Sequence, residues 1–410
     1  MSDTNTKPQN WGEFKERLLE GLSDKQKALV STLAENSHTD FIKDTKDNTV
    51  LVEATAAGNV GAGNITRYDT MFMPLIRRTM TSLLANDLVG VQPQTNPRGM
   101  VRTLRLRYAE STLDTTGGTN VVTAGTEASG QNVYEKYSLL VKGGNYDEVD
   151  LLDPFAQTQY LESDRGKPMD LEVLTQSVDT KSRKLSATYT LEAADDLSAL
   201  DGLDIESELT QGVGDEIMRD IDRELLTLLT SLAGTVSSFD FALVDGRYAG
   251  EKLSALSIAI DNLSAQIAIK TKKAGATWMV CSQNVFTGLK HASNGSFVPA
   301  TMSTQPELSS STFVGTFAGG VKVYVDPYAT TDTVLMGYKG SEIDSGLIYA
   351  PYIPLSSSGV IPDPATGDSR IMLRTRYALH SFTDANNTLG NSPDYYARAT
   401  VANMQLGFKN

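Results

Sequence analysis

The strongest pattern in the sequence is a long amphipathic helix over residues 204–232. When the chain is wound at 100° per residue, seven apolar residues fall within an arc of about 120°. They are Ile217, Met218, Ile221, Leu225, Leu228, Leu229 and Leu232. Charged side chains fill the other faces, and Asp215 to Arg219 is a favourable i,i+4 pair. A helix of this length needs a large apolar surface to pack on, so we expect it to be the spine of the fold.

Helical and strand patterns alternate irregularly along the rest of the chain. Helical spacing recurs at 71–91, 251–270 and 284–291, and residues 321–338 have the pattern of a hairpin. Further strands are predicted at 101–108, 185–191, 277–282, 346–353, 370–380 and 395–408. There is no regular βαβ rhythm, which favours the α+β class over a doubly wound sheet.

The strand at 101–108 is followed by a segment that cannot fold on itself. Leu104, Leu106 and Tyr108 share one face of this strand, while Thr103, Arg105 and Arg107 share the other. Residues 110–144 are rich in Gly, Thr and Ser and contain few large apolar side chains. We interpret this region as a long two-stranded excursion that requires a partner surface.

The N-terminal 53 residues differ from the rest. Apolar residues at helical spacing predict a helix over 11–35; they are Trp11, Phe14, Leu18, Leu22, Leu29 and Leu33. The small residues at 56–64 have the composition of a flexible linker. Two interpretations stay open: the helix is a detachable module, or it docks on its own domain.

Composition excludes several classes of function. The chain has 410 residues and a formal charge of −14, and this acidic balance disfavours nucleic-acid binding. No apolar run is long enough to span a bilayer. One cysteine, Cys281, excludes a disulfide framework and lies in an apolar strand, where a buried thiol is expected. The sequence lacks phosphate-binding, HExxH and GxSxG motifs, so we expect no enzyme activity, no cofactor and no metal site.

Four arginines cluster on and beside the 101–108 strand: Arg98, Arg102, Arg105 and Arg107. They allow two interpretations, a nucleic-acid contact strip or a basic strand that meets an acidic surface of a neighbouring protein. Aromatic residues are few and the whole chain is acidic, so protein–protein pairing is favoured. Asp147, Glu148 and Asp150 form an acidic cluster suited to the same kind of intersubunit ion pairing.

At this point the sequence resembles the major capsid proteins of T-even-type tailed bacteriophages. Several blocks carry the resemblance, in the expected order over about 85–380. They are Asp87–Pro93, Asn96–Gly99, Arg183–Tyr189, Ala193–Leu197, Glu216–Glu224, Tyr324–Ala329, Gly337–Gly340 and Tyr349–Tyr352. Many blocks in register are more specific than any single motif.

The resemblance implies the tailed-phage major capsid fold. Its expected parts are a propeptide or scaffold-binding helix, an N-terminal arm, an extended β-loop, a peripheral domain with the spine helix, and an axial domain. In this sequence they map to 1–53, 54–97, 98–165, 166–249 together with 351–410, and 250–350. The family's large insertion in the loop region is absent here, so its bracing role does not transfer.

The resemblance also implies cleavage of the N-terminus by a prohead protease after a Leu/Ile-x-Glu triplet. Leu18-Leu19-Glu20, Leu33-Ala34-Glu35 and Leu51-Val52-Glu53 match this triplet, whereas none of the fourteen later Glu does. The third triplet adjoins the small-residue stretch, where a protease can extend the backbone. The expected cut is therefore between Glu53 and Ala54.

The implied function is that of a structural subunit of an icosahedral or prolate phage head, assembled in the host bacterial cytoplasm and located in the virion. Implied partners are other copies in hexamers and possibly pentamers, the scaffold core, the prohead protease, and vertex, portal and decoration proteins. Neither sequence-specific nucleic-acid binding nor a membrane contact is expected. Three alternatives remain: the vertex subunit of the same phage, an encapsulin-like compartment protein, and a metal-dependent or hydrolytic enzyme.

Overall fold

The structure is a computed structural model that describes residues 16, 18–37, 77, 83–114, 119–126, 128, 137, 168–200, 202–241, 249–292, 297–299, 312–318, 320–362, 368–382 and 391–404. Its helices are residues 24–37 (α1), Ala85–Leu88 (α2), Leu191–Leu200 (α3), Ile205–Leu232 (α4), Ala249–Thr271 (α5) and Gln283–Lys290 (α6). A 3₁₀ turn spans Ser392–Tyr395. Helices and strands are interspersed without a regular βαβ rhythm and most strand pairs are antiparallel, which confirms the α+β class.

The strands are numbered in chain order. They are Gly90–Val91 (β1), Arg98–Tyr108 (β2), Thr112–Asp114 (β3), Thr119–Val122 (β4), Met169–Asp179 (β5), Lys181–Tyr189 (β6), Thr235–Asp240 (β7), Trp278–Ser282 (β8), Phe297–Pro299 (β9), Thr312–Phe317 (β10), Val321–Asp326 (β11), Thr333–Gly337 (β12), Leu347–Pro362 (β13), Ser369–Ser381 (β14) and Tyr396–Ala402 (β15).

One core lies between a seven-stranded sheet and helix α5. The strand order is β7-β15-β12-β8-β11-β10-β9, and all five residues of the central strand β8 are buried. Leu256, Ile260, Leu263 and Ile267 of α5 belong to the same buried cluster as the sheet's inner side chains. The predicted helix at 251–270 and strand at 277–282 are therefore confirmed.

The predicted hairpin at 321–338 is wrong. Strand β8 lies between its two arms, parallel to β11 and antiparallel to β12, so β11 and β12 do not pair. Strand β8, Trp278–Ser282, is apolar up to its last residue and takes the central place because it can bury both of its faces. Adjacency along the chain suggested a hairpin, and the tertiary packing of a more distant strand overrode it.

The second core lies between the spine helix α4 and a four-stranded sheet of order β1-β13-β14-β6. Residues Ile217, Ile221, Leu225 and Leu229 of α4 are at most 1% exposed, as the arc predicted. The Asp204 side chain accepts a hydrogen bond from Glu206 N at 3.2 Å and so caps the helix. The predicted spine helix at 204–232 is confirmed to within one residue.

The sheets draw on segments from both sides of the predicted domain limits. Strands β7 and β15 belong to the seven-stranded sheet, although they precede residue 250 and follow residue 350. Parallel pairing of Ala397 with Thr235 through Ala402 with Asp240 joins them. Parallel strands can lie far apart in sequence, so strand patterns alone did not assign these two to a sheet.

The N-terminal helix differs from its prediction. The chain turns at Gly21, whose φ is +77°, and a new helix starts at residue 24 and runs to residue 37. Ser23 and Gln26 form a capping box, with Gln26 N donating to Ser23 Oγ at 3.5 Å and Ser23 N donating to Gln26 Oε1 at 3.3 Å. One continuous helix over 11–35 is therefore wrong, because glycine and a capping signal interrupt the apolar spacing.

Candidate functional site

Strands β2 and β5 form an isolated antiparallel ladder, the β2–β5 ribbon, paired from Arg98 with Asp179 to Tyr108 with Met169. Eleven residues per strand make it about 35 Å long. The ribbon includes the predicted strand at 101–108. Because it is a sheet of only two strands, each of its two faces needs something to pack against.

The outer face of the ribbon is largely apolar and is exposed over most of its length, although Tyr108 at its far end is buried. It carries five of the large apolar side chains that are most exposed in the described part of the chain. Their exposed fractions are 63% for Met100, 49% for Leu104, 46% for Met169, 68% for Leu171 and 50% for Val173. The ladder sets Leu104 opposite Val173 and Leu106 opposite Leu171, so the apolar side chains are contiguous from Leu104 towards Met169, while Arg102 separates them from Met100. A contiguous apolar stripe of this kind marks an interaction surface.

The inner face of the ribbon is polar and buried. Thr103, Arg105 and Arg107 are each at most 9% exposed. Arg107 forms an ion pair with Glu172 across the ladder, and Thr103 Oγ1 donates to the carbonyl of Ile343 at 3.2 Å. Buried cations of this kind require opposite charges and acceptors close by. Two of the four predicted contact arginines, Arg105 and Arg107, are therefore buried within their own chain.

The other two arginines lie on the outer side. Arg98 pairs with Asp179 at 3.1 Å, with side chains that are 77% and 72% exposed. Arg102 is exposed and shares the outer face with Met100 and Leu104. Sequence reasoning grouped all four arginines by proximity, and strand alternation divides them into an inner pair and an outer pair.

The remaining predicted site residues lie outside the described residues. They are Asp147, Glu148 and Asp150, proposed for intersubunit ion pairing, and Glu53 and Ala54, proposed as the cleavage site. His38 also falls there.

The base of the ribbon is fixed to the four-stranded sheet. The Gln92 side-chain amide donates to the carbonyl of Arg102 at 3.0 Å and accepts from its N–H at 3.1 Å. Val101 and Val178 pack on Ile348 and Ala350 of β13. These hydrogen bonds and apolar contacts hold the base of the ribbon on the four-stranded sheet, so the outer face has a defined position.

His380 of β14 also meets the ribbon base, where its Nε2 forms a short hydrogen bond with Gln176 of β5. Burial lowers the pKa of His380 below its ordinary value of 6.5. This contact was not found from the sequence, because it joins side chains that are 204 positions apart.

Two further polar clusters were not found from the sequence. Arg183 of β6 bridges Asp220 at 3.1 Å and Glu224 at 2.5 Å on the spine helix, and the Tyr377 hydroxyl donates to Glu224. Lys273 lies 2.8 Å from Asp344; burial alone would lower its pKa, but Tyr395 and Asp344 raise it above the ordinary value. Each cluster links segments of the chain that are distant in sequence, and we attribute to it a role in stabilising the fold.

No constellation suited to catalysis was found in the described part of the chain. No group of three His, Cys, Asp or Glu is placed to hold a metal ion among the described residues. Cys281 is 1% exposed, and desolvation raises its thiol pKa to about 12. A thiol of this kind is a poor nucleophile. Within the same residues, no helix has the length and apolar character to cross a membrane.

Residues 18–37 pack on their own chain. Leu18, Val30, Leu33 and Ala34 are at most 6% exposed and belong to the same core cluster as the spine helix. The sequence left two interpretations open, a detachable module or a helix docked on its own domain. Residues 18–37 are docked on their own chain.

Comparison with known proteins places the chain in a family. The sequence model for the major capsid protein Gp23 matches residues 65–403. The major capsid protein of Vibrio phage KVP40 is 29% identical over 381 residues, which cover 74% of each chain. The major capsid protein of Enterobacteria phage T4 is 27% identical over 481 residues, which cover 88% of this chain and 89% of that protein.

Among solved structures, a chain of Microbacterium phage Oxtober96 matches with a TM-score of 0.44 and 10% identity, covering 78% of this chain and 91% of that chain. The capsid of Myoviridae Phage XM1 matches with a TM-score of 0.40 and 10% identity, covering 76% and 89%. The matched range 65–403 contains every strand of both sheets and the whole β2–β5 ribbon. The chain belongs to the Gp23 major capsid protein family.

Proposed function

We propose that this chain is the shell-forming subunit of a tailed-phage head and that the outer face of the β2–β5 ribbon is a contact between copies. The observation that carries this is the apolar stripe of Leu104, Met169, Leu171 and Val173, which the single chain leaves exposed. Each Å² of apolar surface that is removed from water contributes about 25 cal/mol of favourable free energy. Covering this stripe with a neighbouring copy therefore favours association. The mechanism is geometric and requires no chemistry.

Charge supports a second copy as the partner of this face. The outer face carries the exposed Arg102, and the whole chain has 50 acidic residues against 36 basic ones. Helix α3 exposes Leu191 and Leu200 beside Glu192, Asp195 and Asp196, and none of its residues is buried. An acidic surface with apolar side chains is the complement of an apolar stripe with a cation.

Shell closure from one chain requires contacts that tolerate changes of angle between hexamers and any pentamers. A two-stranded ribbon suits this role, since among the described residues its contacts with the four-stranded sheet and the segments beside it gather near Gln92, Val101 and Thr103. The ribbon can tilt on that base while the outer face stays on its neighbour. The proposed domain limits, with an arm at 54–97 and a loop at 98–165, belong to the same assembly scheme.

We further propose that a prohead protease cuts between Glu53 and Ala54. Removal of 1–53 takes away seven basic and ten acidic residues, so the formal charge changes from −14 to −11. The scaffold core is proposed to contact the exposed face of 24–37, because the apolar face is buried in the chain itself. Vertex, portal and decoration proteins are proposed as further partners.

The excess of acidic residues is proposed to prevent the inner surface of the shell from binding packaged DNA tightly, because both carry negative charge. Filter binding of DNA to assembled shells tests this idea. Weak binding at about 50 mM salt is expected. Tight binding that falls steeply with salt would contradict it.

Electron microscopy and sedimentation of the purified protein test the central proposal. Closed shells or hexameric tiles are expected as the concentration rises. A compact monomer at high concentration would overturn it. Intact-mass measurement on protein from filled heads tests the cut: a chain starting at Ala54 is expected, and one starting at Met1 or Ser2 would reject the cleavage.

A further inference from the structure

Residues 18–37, called here the strap, cover an apolar groove on the body of the chain. The apolar side chains of the strap recur on one helical face, where Val30, Leu33 and Ala34 are fully buried. They belong to one cluster with Leu84, Leu88 and Val89 beside α2 and with Leu225 and Leu229 of the spine helix. The groove therefore lies where the arm, the spine helix and the four-stranded sheet meet.

Polar contacts fix the end of the strap over this junction. The Asn36 side-chain amide donates to the carbonyl of Gln94 and to the carbonyl of Tyr352, each at 2.8 Å. These acceptors lie 58 and 316 positions away in sequence. At the other end, Arg77 donates to the carbonyl of Glu20 at 2.7 Å. One short segment thus joins three distant parts of the chain.

The strap is nevertheless incompletely packed. A cavity of about 630 Å³ lies along its flank, between Leu29 and Thr32 on one side and Asn86, Trp278 and Lys339 on the other. Lys25, Lys27 and Ala28 of the strap are exposed, and Lys25 and Ala28 lie at the mouth of this cavity. A helix of fourteen residues held by one face beside a cavity belongs to the least stable cooperative units of a fold.

We propose that the strap is a releasable cover: it docks in cis, detaches as a unit, and leaves the groove open while both sheets stay folded. In the intact chain, residues 38–76 tether the strap and hold it near the groove at a millimolar effective concentration. A cut after Glu53 ends that tether and makes docking bimolecular. The strap then dissociates at lower concentrations with no further driving force. This step rests on the proposed cleavage.

Hydrogen exchange in the intact full-length chain tests the docking with a matched pair of variants. Ala34→Asp places a carboxylate on the fully buried face, and Ala28→Asp places the same group on the exposed face of the same helix. Exchange at 24–37 and at 84–91 should rise at least about tenfold in Ala34→Asp and stay near wild type in Ala28→Asp. Equal exchange in the two variants would overturn the docking.

Release as a unit is tested in the same data. The amides of β8 and β11 should keep wild-type protection in Ala34→Asp. Faster exchange there as well would show that the strap is integral to the core and overturn the proposal. The milder Asn36→Leu variant, which loses the two hydrogen bonds to Gln94 and Tyr352, should increase exchange at 24–37 and 84–91 by a smaller factor and leave β8 and β11 unchanged.

A site-specific protease site introduced near residue 50 of the full chain tests release by cutting. After cleavage, the N-terminal fragment should separate during gel filtration at nanomolar concentration, and the body should bind a hydrophobic dye. A fragment that stays bound with unchanged exchange at 84–91 would overturn the proposal. Electron microscopy of the same samples reports shell formation separately, so retention of the strap would leave the proposed shell function standing.

Discussion

The strap and the β2–β5 ribbon are both amphipathic, but they bury opposite kinds of face. The strap turns Val30, Leu33 and Ala34 into its own chain and leaves Lys25 and Lys27 outside. The ribbon turns Arg105 and Arg107 inward and leaves Leu171 outside, 68% exposed. An ordinary monomeric domain would bury the apolar face in both cases.

This difference separates two sources of stability. The apolar face of the strap is covered by the chain that carries it, so its burial contributes to the fold of one copy. The apolar face of the ribbon is exposed in the described part of the chain, and its proposed burial against a second copy would contribute to assembly. Substitutions on the two faces should therefore change different measurements.

The largest expected effect is on assembly. Leu171→Asp places a charge in the middle of the ribbon's outer face and should abolish closed shells in electron microscopy, while the circular dichroism and melting of the unassembled chain stay near wild type. Leu171→Met, which keeps an apolar side chain of similar size, should assemble normally. Shells formed by Leu171→Asp would remove the contrast between the two regions.

The next effect is on the strap. Leu33→Ala removes a fully buried side chain and should weaken docking of the strap by about 3 kcal/mol. Hydrogen exchange at 24–37 measures this loss. Leu200→Ala on helix α3, where the side chain is 83% exposed, should change stability by less than about 0.5 kcal/mol. Similar losses in both variants would contradict the assigned burial.

A smaller effect separates the two arginine pairs of the ribbon. Glu172→Leu removes the carboxylate that faces the buried Arg107 and should destabilise the ribbon by about 2 kcal/mol, less than for a fully buried pair because Glu172 is partly exposed. Asp179→Leu, at the exposed pair with Arg98, should cost at most about 0.5 kcal/mol. Exchange of the β2 and β5 amides measures the loss of stability in each variant. A larger loss in Asp179→Leu than in Glu172→Leu would contradict the assignment of the inner face as the one that stabilises the ribbon.

The smallest effect is a pH dependence at the ribbon base. Burial lowers the pKa of His380, so the open state binds a proton more readily than the closed one. The stability contributed by this group is present above its ordinary pKa of 6.5 and is lost as the pH falls through the lowered value. The protection factors of the β5 amides around Gln176, which compare each exchange rate with the intrinsic rate at the same pH, should therefore fall gradually below pH 6.5. His380→Gln should flatten that fall, and an unchanged fall would exclude His380 as its source.

Several features were predictable from local pattern. The spine helix followed from apolar spacing over 28 residues, because a pattern of that length outweighs local competition. The resemblance to phage major capsid proteins, carried by blocks such as Glu216–Glu224 and Tyr349–Tyr352, is confirmed by the family match over residues 65–403. The α+β class is confirmed by the two sheets and their helices.

Other features were not predictable from local pattern. The apolar spacing of a helix continues through Gly21, but the chain turns there and a new helix begins after the Ser23–Gln26 capping box. The spacing alone did not indicate this break. The predicted 321–338 hairpin failed because β8 enters between β11 and β12. The contacts of Asn36, His380 and Arg183 join residues that no spacing rule connects.

The sequence by itself determined the positions of the main helices and most strands, and which residues of strand 98–108 share a face, because these depend on periodicity within one segment. It also determined the family, because the blocks that carry the resemblance can be read along the chain in order. Only the tertiary structure decided which face is inside. Alternation in a strand places Leu104 and Arg105 on opposite sides, but inside is defined by what lies against each side. For the ribbon that surface comes from distant residues such as Ile343, whose carbonyl accepts from Thr103, while Glu172 of the neighbouring strand β5 supplies the charge that Arg107 requires.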